Sequence, residues 1–186
     1  KYTTPEMIYV TSNTSIGFEA TDDSGVGATY YRINGSAWQE YTSPFSLNGS
    51  DGVYVIEYYS VDIYGNAESV KSATLYLDNT PPETSVTYVA DVHQVVLNAT
   101  DEGCGVKSTF YRVDGGEWQE YTGPIELEPG PHTIEYYSVD YLDNMESVKS
   151  FNISVPTTAP PTPLHPMLLL AAAILVAPLA RRICQK

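Results

Sequence analysis

The sequence has few cysteines and few basic residues, and each shortage excludes a class of protein. The 186 residues contain two cysteines, Cys104 and Cys184, too few for a disulfide framework. The sequence has nine Lys and Arg residues against 23 Asp and Glu residues, and every acidic residue lies at or before Glu146. Because such an acidic chain repels phosphate backbones, we expect no nucleic acid partner.

Motifs that carry catalysis are also missing. The sequence has no Gly-x-Ser-x-Gly, no zinc-ligand spacing and no phosphate-binding loop, and His93, His132 and His165 are scattered. We therefore predict a non-enzymatic protein without a required cofactor. Calcium is the metal ion that the many carboxylates suit best.

The strongest positive signal is an internal repeat. Residues 26–44 and 106–124 are identical at 11 of 19 positions, and residues 56–72 and 134–150 at 13 of 17. The predicted repeats span residues 1–79 and 80–155, joined by the proline-containing linker Asp78–Pro82.

Within each repeat the pattern indicates short strands. Asn34-Gly35 and Asp114-Gly115 stand between strand-like runs, as in tight hairpins, because both residue types tolerate positive φ. Phe151, Ile153 and Val155 alternate with polar residues, which predicts one buried and one wet face. Six or seven strands in about 75 residues is the density of a β-sandwich.

These runs resemble a known family of repeats. Repeat 2 reads Asp-x-x-Gly-Val, Tyr-Arg-Val-Asp-Gly-Gly-x-Trp, Tyr-x-x-Pro, His-Thr-Ile-x-Tyr-Tyr-Ser-Val-Asp and Asn-x-Glu-Ser, apart from one extra residue in the first motif. This is similar to the bacterial and archaeal Ig-like repeats found in tandem on secreted and surface-anchored proteins. The resemblance implies an all-β fold of two tandem Ig-like sandwiches and an extracellular spacer or binding role. It implies no catalytic residue.

The C-terminal part has a different composition. Residues 156–166 contain five prolines, typical of an extended stalk, and an unbroken apolar run extends from Met167 to Ala180. We predict a hydrophobic membrane anchor over 167–183, folded as a transmembrane helix, and a cytoplasmic end at 184–186. The basic residues Arg181 and Arg182 follow the run, which places the C-terminus inside and the repeats outside.

The order of stalk, apolar run and basic end resembles the C-terminal sorting signals of archaeal surface proteins, which are cleaved and replaced by a lipid. In place of their usual Pro-Gly-Phe-type motif the chain has Leu164-His165-Pro166. Two readings therefore stay open, a cleaved sorting signal and a retained single-pass anchor.

Three sets of residues are candidates for sites, and each has a structural alternative. Five asparagines lie in glycosylation sequons, or the sequons arise by chance: Asn13, Asn34, Asn48, Asn98 and Asn152. Nine oxygen-bearing side chains form a possible calcium site at a sandwich end, or cap turns through their own backbone: Asp22, Asp23, Asp62, Asn66, Asp101, Glu102, Asp140, Asp143 and Asn144. Trp38 and Trp118 stack on sugars, or pack across strands.

Three functions fit these observations. The first is a surface-anchored structural spacer, of the kind associated with an S-layer, which contacts the membrane through its tail and neighbouring surface proteins or glycans through its repeats. The second is an adhesin or carbohydrate-binding module. The third is the anchoring end of a larger secreted enzyme.

Overall fold

The computed structural model describes residues 7–157 and 183–184, which form two compact units. The boundary falls between Thr80 and Pro81, inside the proline-containing linker. Apart from one 3-10 turn at Ala90–Val92, every regular element described is a strand. The predicted all-β class is therefore confirmed for this part of the chain.

Unit 1 contains one sheet. Its strands are β1 (Ile8–Val10), β2 (Val26–Ile33), β3 (Gln39–Glu40), β4 (Gly52–Asp62), β5 (Lys71–Leu77) and β13 (Ile183–Cys184), in the order β13-β1-β5-β4-β2-β3. The pairs β2–β3, β2–β4 and β4–β5 are antiparallel, whereas β1 pairs in parallel with both β5 and β13.

The core of unit 1 is small. Its buried members are Val10, Leu47, Ile56, Leu75 and Leu77. The wall facing the sheet is irregular and includes Ile16 and Phe45, which form a single antiparallel bridge. A second sheet is therefore only begun in the described part of unit 1.

Unit 2 is a complete two-sheet sandwich. Its strands are β6 (Glu83–Val89), β7 (Gln94–Thr100), β8 (Val106–Val113), β9 (Gln119–Glu120), β10 (Ile125–Glu126), β11 (Gly130–Asp140) and β12 (Lys149–Val155). One sheet has the order β10-β7-β6 and the other β12-β11-β8-β9. Both contribute to a core of Val95, Leu97, Ile125, Leu127, Ile134, Tyr136 and Val155. Asn152 and Ser154 on β12 are exposed, so the predicted alternation is confirmed.

The turn after β2 and the turn after β8 have the conformation that their sequences predict. Asn34 and Asp114 have φ of 49° and 51°, and the glycine after each has φ of 71°. Each side chain also accepts a hydrogen bond from a neighbouring strand, Asn34 from the Val55 N–H and Asp114 from the Thr133 N–H, both at 2.8 Å. This dual role explains why Asn and Asp exchange freely between the repeats.

The predicted tail lies almost entirely outside the described residues. This applies to the stalk beyond Thr157, to the anchor or sorting signal up to Arg182 and to the last two residues. Ile183 and Cys184 are described and form β13 on the sheet of unit 1, so the predicted helix does not extend to Ile183. In the part of the chain that is described, no helix has the length and apolar character needed to cross a membrane.

Candidate functional site

Trp38 lies half-buried beside β2 and β4 of unit 1. The Arg32 guanidinium lies over its ring, 4.6 Å from the ring centroid, and Tyr59 meets it edge to face at 4.8 Å between centroids. Glu57 holds Arg32 through two hydrogen bonds of 2.8 and 2.9 Å, which hold the pKa of Glu57 below its usual value. One face of the indole is thus already occupied by a cation.

Unit 2 repeats this arrangement. Arg112 lies 4.8 Å from the Trp118 centroid, Tyr137 meets the ring at 4.9 Å, and Glu135 binds Arg112 at 2.7 and 3.0 Å. These contacts fit cross-strand packing, because the residues come from neighbouring strands and cover one another. Sugar binding by either tryptophan stays a prediction.

The five sequon asparagines are all exposed. Asn152 accepts a hydrogen bond from the Thr133 hydroxyl through Oδ1 at 2.8 Å, and Asn34 uses the same atom to bind the Val55 N–H. N-linked sugar attaches to the other side-chain atom, Nδ2, so neither bond consumes the attachment point. Glycosylation at these positions stays a prediction.

Two of the calcium candidates organise loops. Asp62 Oδ1 accepts from the backbone N–H of Tyr64 and Asn66 at 2.9 and 2.8 Å, and Oδ2 accepts from the Asn66 amide at 2.7 Å. Asp140 makes the same three bonds with Leu142 and Asn144. The Asn66 hydrogen bond lowers the pKa of Asp62. These loops show the turn-capping role that the sequence left open.

The other candidates divide by exposure. Asp22, Asp23 and Glu102 are exposed, and Asp22 Oδ1 accepts from the Ser24 N–H at 2.7 Å. Asp143 forms an ion pair with Lys107 at 2.8 Å. The structure therefore does not gather the whole predicted set of either repeat into one place.

A smaller cluster does form inside unit 2. One carboxylate oxygen each of Asp101 and Asp140 lies with Cys104 Sγ within 4.8 Å of one another, and both Asp140 and Cys104 are fully buried. Two ligands about 2.4 Å from one calcium ion can be at most about 4.8 Å apart, so the spacing suits such an ion. The sulfur is a poor calcium ligand, since hard cations prefer oxygen.

Calcium binding at Asp101 and Asp140, two of the predicted ligands, stays a prediction with a direct thermal test. If Asp101 is a ligand, calcium raises the melting temperature of unit 2 and EDTA reverses the rise, because an ion that binds only the folded state stabilises it. Asp101→Asn abolishes the shift. The matched control is Asp22→Asn, at the same position of repeat 1, which leaves it intact. A melting temperature that EDTA does not move contradicts calcium.

Sequence reasoning missed a buried polar network in unit 2. The carboxylate of Glu146 accepts hydrogen bonds from the Thr84 N–H at 3.1 Å, the Ser138 N–H at 2.8 Å and the Thr84 hydroxyl, and it pairs with Lys149 at 2.8 Å. The Thr84 hydroxyl also meets Ser138 Oγ at 2.6 Å. The available signal was the Glu-Ser-Val-Lys sequence present in both repeats.

Asp51 in unit 1 was also missed. It accepts hydrogen bonds from the N–H and side-chain amide of Asn79 at 3.0 and 3.2 Å and from the Thr80 hydroxyl at 2.5 Å. Partial burial raises the pKa of Asp51, but the bonds from Thr80 and Asn79 outweigh it, so the pKa is lowered. Asn79 Oδ1 in turn accepts from the Ser12 N–H at 2.8 Å. The start of the linker is therefore tied to unit 1.

Comparison with known proteins finds matches among solved structures and none by sequence. No protein-family model matches the sequence, and no curated protein matches it. Among solved structures, fibronectin(III)-like modules of Clostridium thermocellum CbhA are similar, with a TM-score of 0.44 and 13% identity over 81% of this chain and 90% of theirs. The D00-D0 domain of intimin has a TM-score of 0.37 and 13% identity over 81% of this chain and 96% of its own. Likenesses this distant do not bear on what the chain binds.

Proposed function

We propose that the chain is a non-enzymatic, surface-anchored spacer, associated with an S-layer or a similar coat and held to the membrane by its C-terminal tail. The observation that carries the proposal is the attachment of the linker to unit 1 through Asp51. A spacer must keep its two ends at a defined distance from each other. A linker whose first residues are hydrogen-bonded to a folded unit varies less in conformation than a free linker, so it keeps that distance better.

The contacts around the two tryptophans, here called the aromatic ladders, favour a spacer over a carbohydrate-binding module: Arg32, Glu57, Trp38 and Tyr59 form one, and Arg112, Glu135, Trp118 and Tyr137 the other. A sugar-stacking platform needs an aromatic face open to solvent, whereas Trp38 and Trp118 each have an arginine over one face and a tyrosine against the ring, which reduces the surface left for a sugar. The bidentate Arg–Glu pairs fix those arginines in place. The ladders therefore stiffen the sheets.

The acidic composition fits the same role. The net charge of −14 keeps neighbouring copies apart on a crowded surface and attracts divalent cations. Sugars on the five exposed asparagines would add to that separation.

The test measures the distance from the N-terminus to the membrane. Full-length chain labelled at Lys1 is reconstituted into vesicles that contain an acceptor dye, and energy transfer reports the height of the label. We expect a narrow distribution with little transfer, and Asp51→Ala broadens it because the linker is released. The exposed Asp23→Ala is the control. A chain that does not associate with vesicles, or that binds surface polysaccharides at micromolar concentration, contradicts the proposal.

A further inference from the structure

The two units differ at one strand although their sequences align there without a gap. Tyr9-Val10 and Ala20-Thr21-Asp22 match Tyr88-Val89 and Ala99-Thr100-Asp101 at a constant offset of 79. In unit 2 the aligned strand β6 pairs antiparallel with β7 along its whole length. In unit 1 the corresponding residues 8–10 form β1, which pairs in parallel with β5 instead.

Among the described residues, this difference leaves one edge of unit 1 without a paired strand. The segment Ser15–Thr21 aligns with β7, and its bridge from Ile16 to Phe45 lies on the side that β10 occupies in unit 2. No described strand pairs with the opposite edge. Unpaired backbone groups at a sheet edge are a template for another strand.

A groove runs along that edge. One part is an apolar cleft of about 300 Å³, with Ile16, Ile56 and Leu75 in its wall. The adjoining part is a polar cleft of about 250 Å³, and both parts include Phe18 and Tyr58. In unit 2 the inward side chains of β6 fill the aligned space, with Val86 and Tyr88 packed on the core and Thr84 in the polar network.

The residues that hydrogen-bond Thr84 in unit 2 have counterparts in unit 1, and the glutamate among them is more exposed to solvent there. Glu68, Ser60 and Lys71 correspond to Glu146, Ser138 and Lys149. The Ser60 N–H binds Glu68 at 2.9 Å and Lys71 binds it at 2.6 Å, as in unit 2. The Glu68 side chain is 34% exposed, against 4% for Glu146.

We propose that this groove binds an added β-strand from a partner polypeptide, antiparallel to Ser15–Thr21. The register of unit 2 gives the chemistry of that strand, because Thr84, Val86 and Tyr88 lie opposite Ala99, Leu97 and Val95. The partner places a hydroxyl residue opposite Ala20, an aliphatic residue opposite Phe18 and an aromatic residue opposite Ile16. Main-chain pairing supplies affinity and these alternate side chains supply specificity.

The charge of the groove adds a further requirement. Four acidic residues and one lysine line its polar part: Glu19, Asp22, Asp62, Glu68 and Lys71. A partner segment with basic residues flanking the strand is therefore attracted, and an acidic one is repelled.

The probe is a synthetic peptide with the sequence of Glu83–Val89 and one added lysine at each end. It is titrated into the full-length, isotope-labelled chain and followed by NMR. We expect saturable shifts at the amides of Ser15–Thr21 and little change in unit 2. A peptide carrying Thr84→Val binds roughly tenfold more weakly, because it loses a hydrogen bond to a charged group. A peptide carrying Thr87→Pro does not bind, because the N–H of Thr87 faces the paired strand, whereas the N–H groups of the alternate residues Thr84 and Val86 point away from it.

Protein variants locate the site independently. Glu68→Gln weakens binding of the peptide, whereas Glu40→Gln, at an exposed position of β3 outside the groove, leaves it unchanged. Absence of saturable binding overturns the proposal, and so does equal binding of the proline peptide. Protection of the Ser15–Thr21 amides other than Ile16, whose N–H already binds the Phe45 carbonyl, also overturns it if it reaches the level of the β7 amides in the free chain, because the groove is then filled by the chain itself or by a second copy.

Discussion

Replacing Glu146 by alanine lowers the free energy of unfolding of unit 2 by about 3 kcal/mol, the range measured when one partner of a buried ion pair is removed. The Glu146 side chain is 4% exposed and joins Thr84 of β6 to Ser138 of β11. Its loss leaves the Thr84 and Ser138 N–H groups without their acceptor and separates the two sheets at that end. Lys149 keeps its bonds to Glu83 and to the Thr84 carbonyl, which limits the damage.

The matched control is Glu68→Ala in unit 1. Glu68 has the same sequence neighbours and also pairs with a lysine three residues on, but it is 34% exposed. We expect a loss below about 1 kcal/mol, as for other solvent-exposed pairs. Urea unfolding is followed through Trp118 in a Trp38→Phe background for unit 2, and through Trp38 in a Trp118→Phe background for unit 1. Equal losses would mean that burial of Glu146 contributes nothing.

The same pair of variants gives a pH dependence of known sign. Burial raises the pKa of Glu146, but hydrogen bonds from Lys149 and Thr84 outweigh it, and the pKa lies below its usual value. A carboxyl with a depressed folded pKa stabilises the fold above the unfolded pKa, about 4.3 for Glu, and that stabilisation is lost as pH falls through the folded pKa. The acid destabilisation of unit 2 is therefore smaller in Glu146→Ala than in the wild type.

Local sequence signals predicted much of this fold because they act within a few residues. Asn34-Gly35 and Asp114-Gly115 specify a positive-φ turn without help from the rest of the chain, and the structure has both turns. The alternation at residues 151–155 likewise fixes which face of β12 is buried. The contact of an arginine with a tryptophan and a glutamate, which the sequence did not predict, occurs in both units because the residues that form it are identical in the two repeats.

The position of β1 could not be predicted in the same way. Its residues match those at the end of β6, and a rule based on the repeat predicts the same pairing in both units. Pairing with β5 or with the Ser15–Thr21 segment is decided by competition between distant parts of the chain, which local pattern does not contain. The open groove of unit 1 follows from that competition.

Contacts between side chains that are far apart in the chain could not be predicted from the sequence either. Asp101 and Asp140 are 39 residues apart in the chain, and the extra residue at Cys104 gave no sign that its sulfur lies within 4.8 Å of an oxygen of each carboxylate. Glu146 and Thr84 are 62 residues apart. Pairs of this kind become visible only once the two sheets are packed on each other, whereas the sequence shows at most that the residue types recur.

Replacing Ile134 by alanine costs unit 2 about 4 kcal/mol of unfolding free energy, whereas Ile56→Ala costs unit 1 about 2 kcal/mol. Both side chains are buried, at 0% and 1% exposure, and both occupy the same position of the repeat. The cost of a large-to-small change contains a cavity term, which depends on how far the surroundings relax. Ile134 is enclosed by both sheets of unit 2, so its removal leaves a void. Ile56 lines the open groove, where solvent and neighbouring side chains can fill the space.

The same tryptophan backgrounds report each unit separately in urea. If Ile56→Ala costs as much as Ile134→Ala, the groove is closed in solution and the strand-binding proposal fails with it.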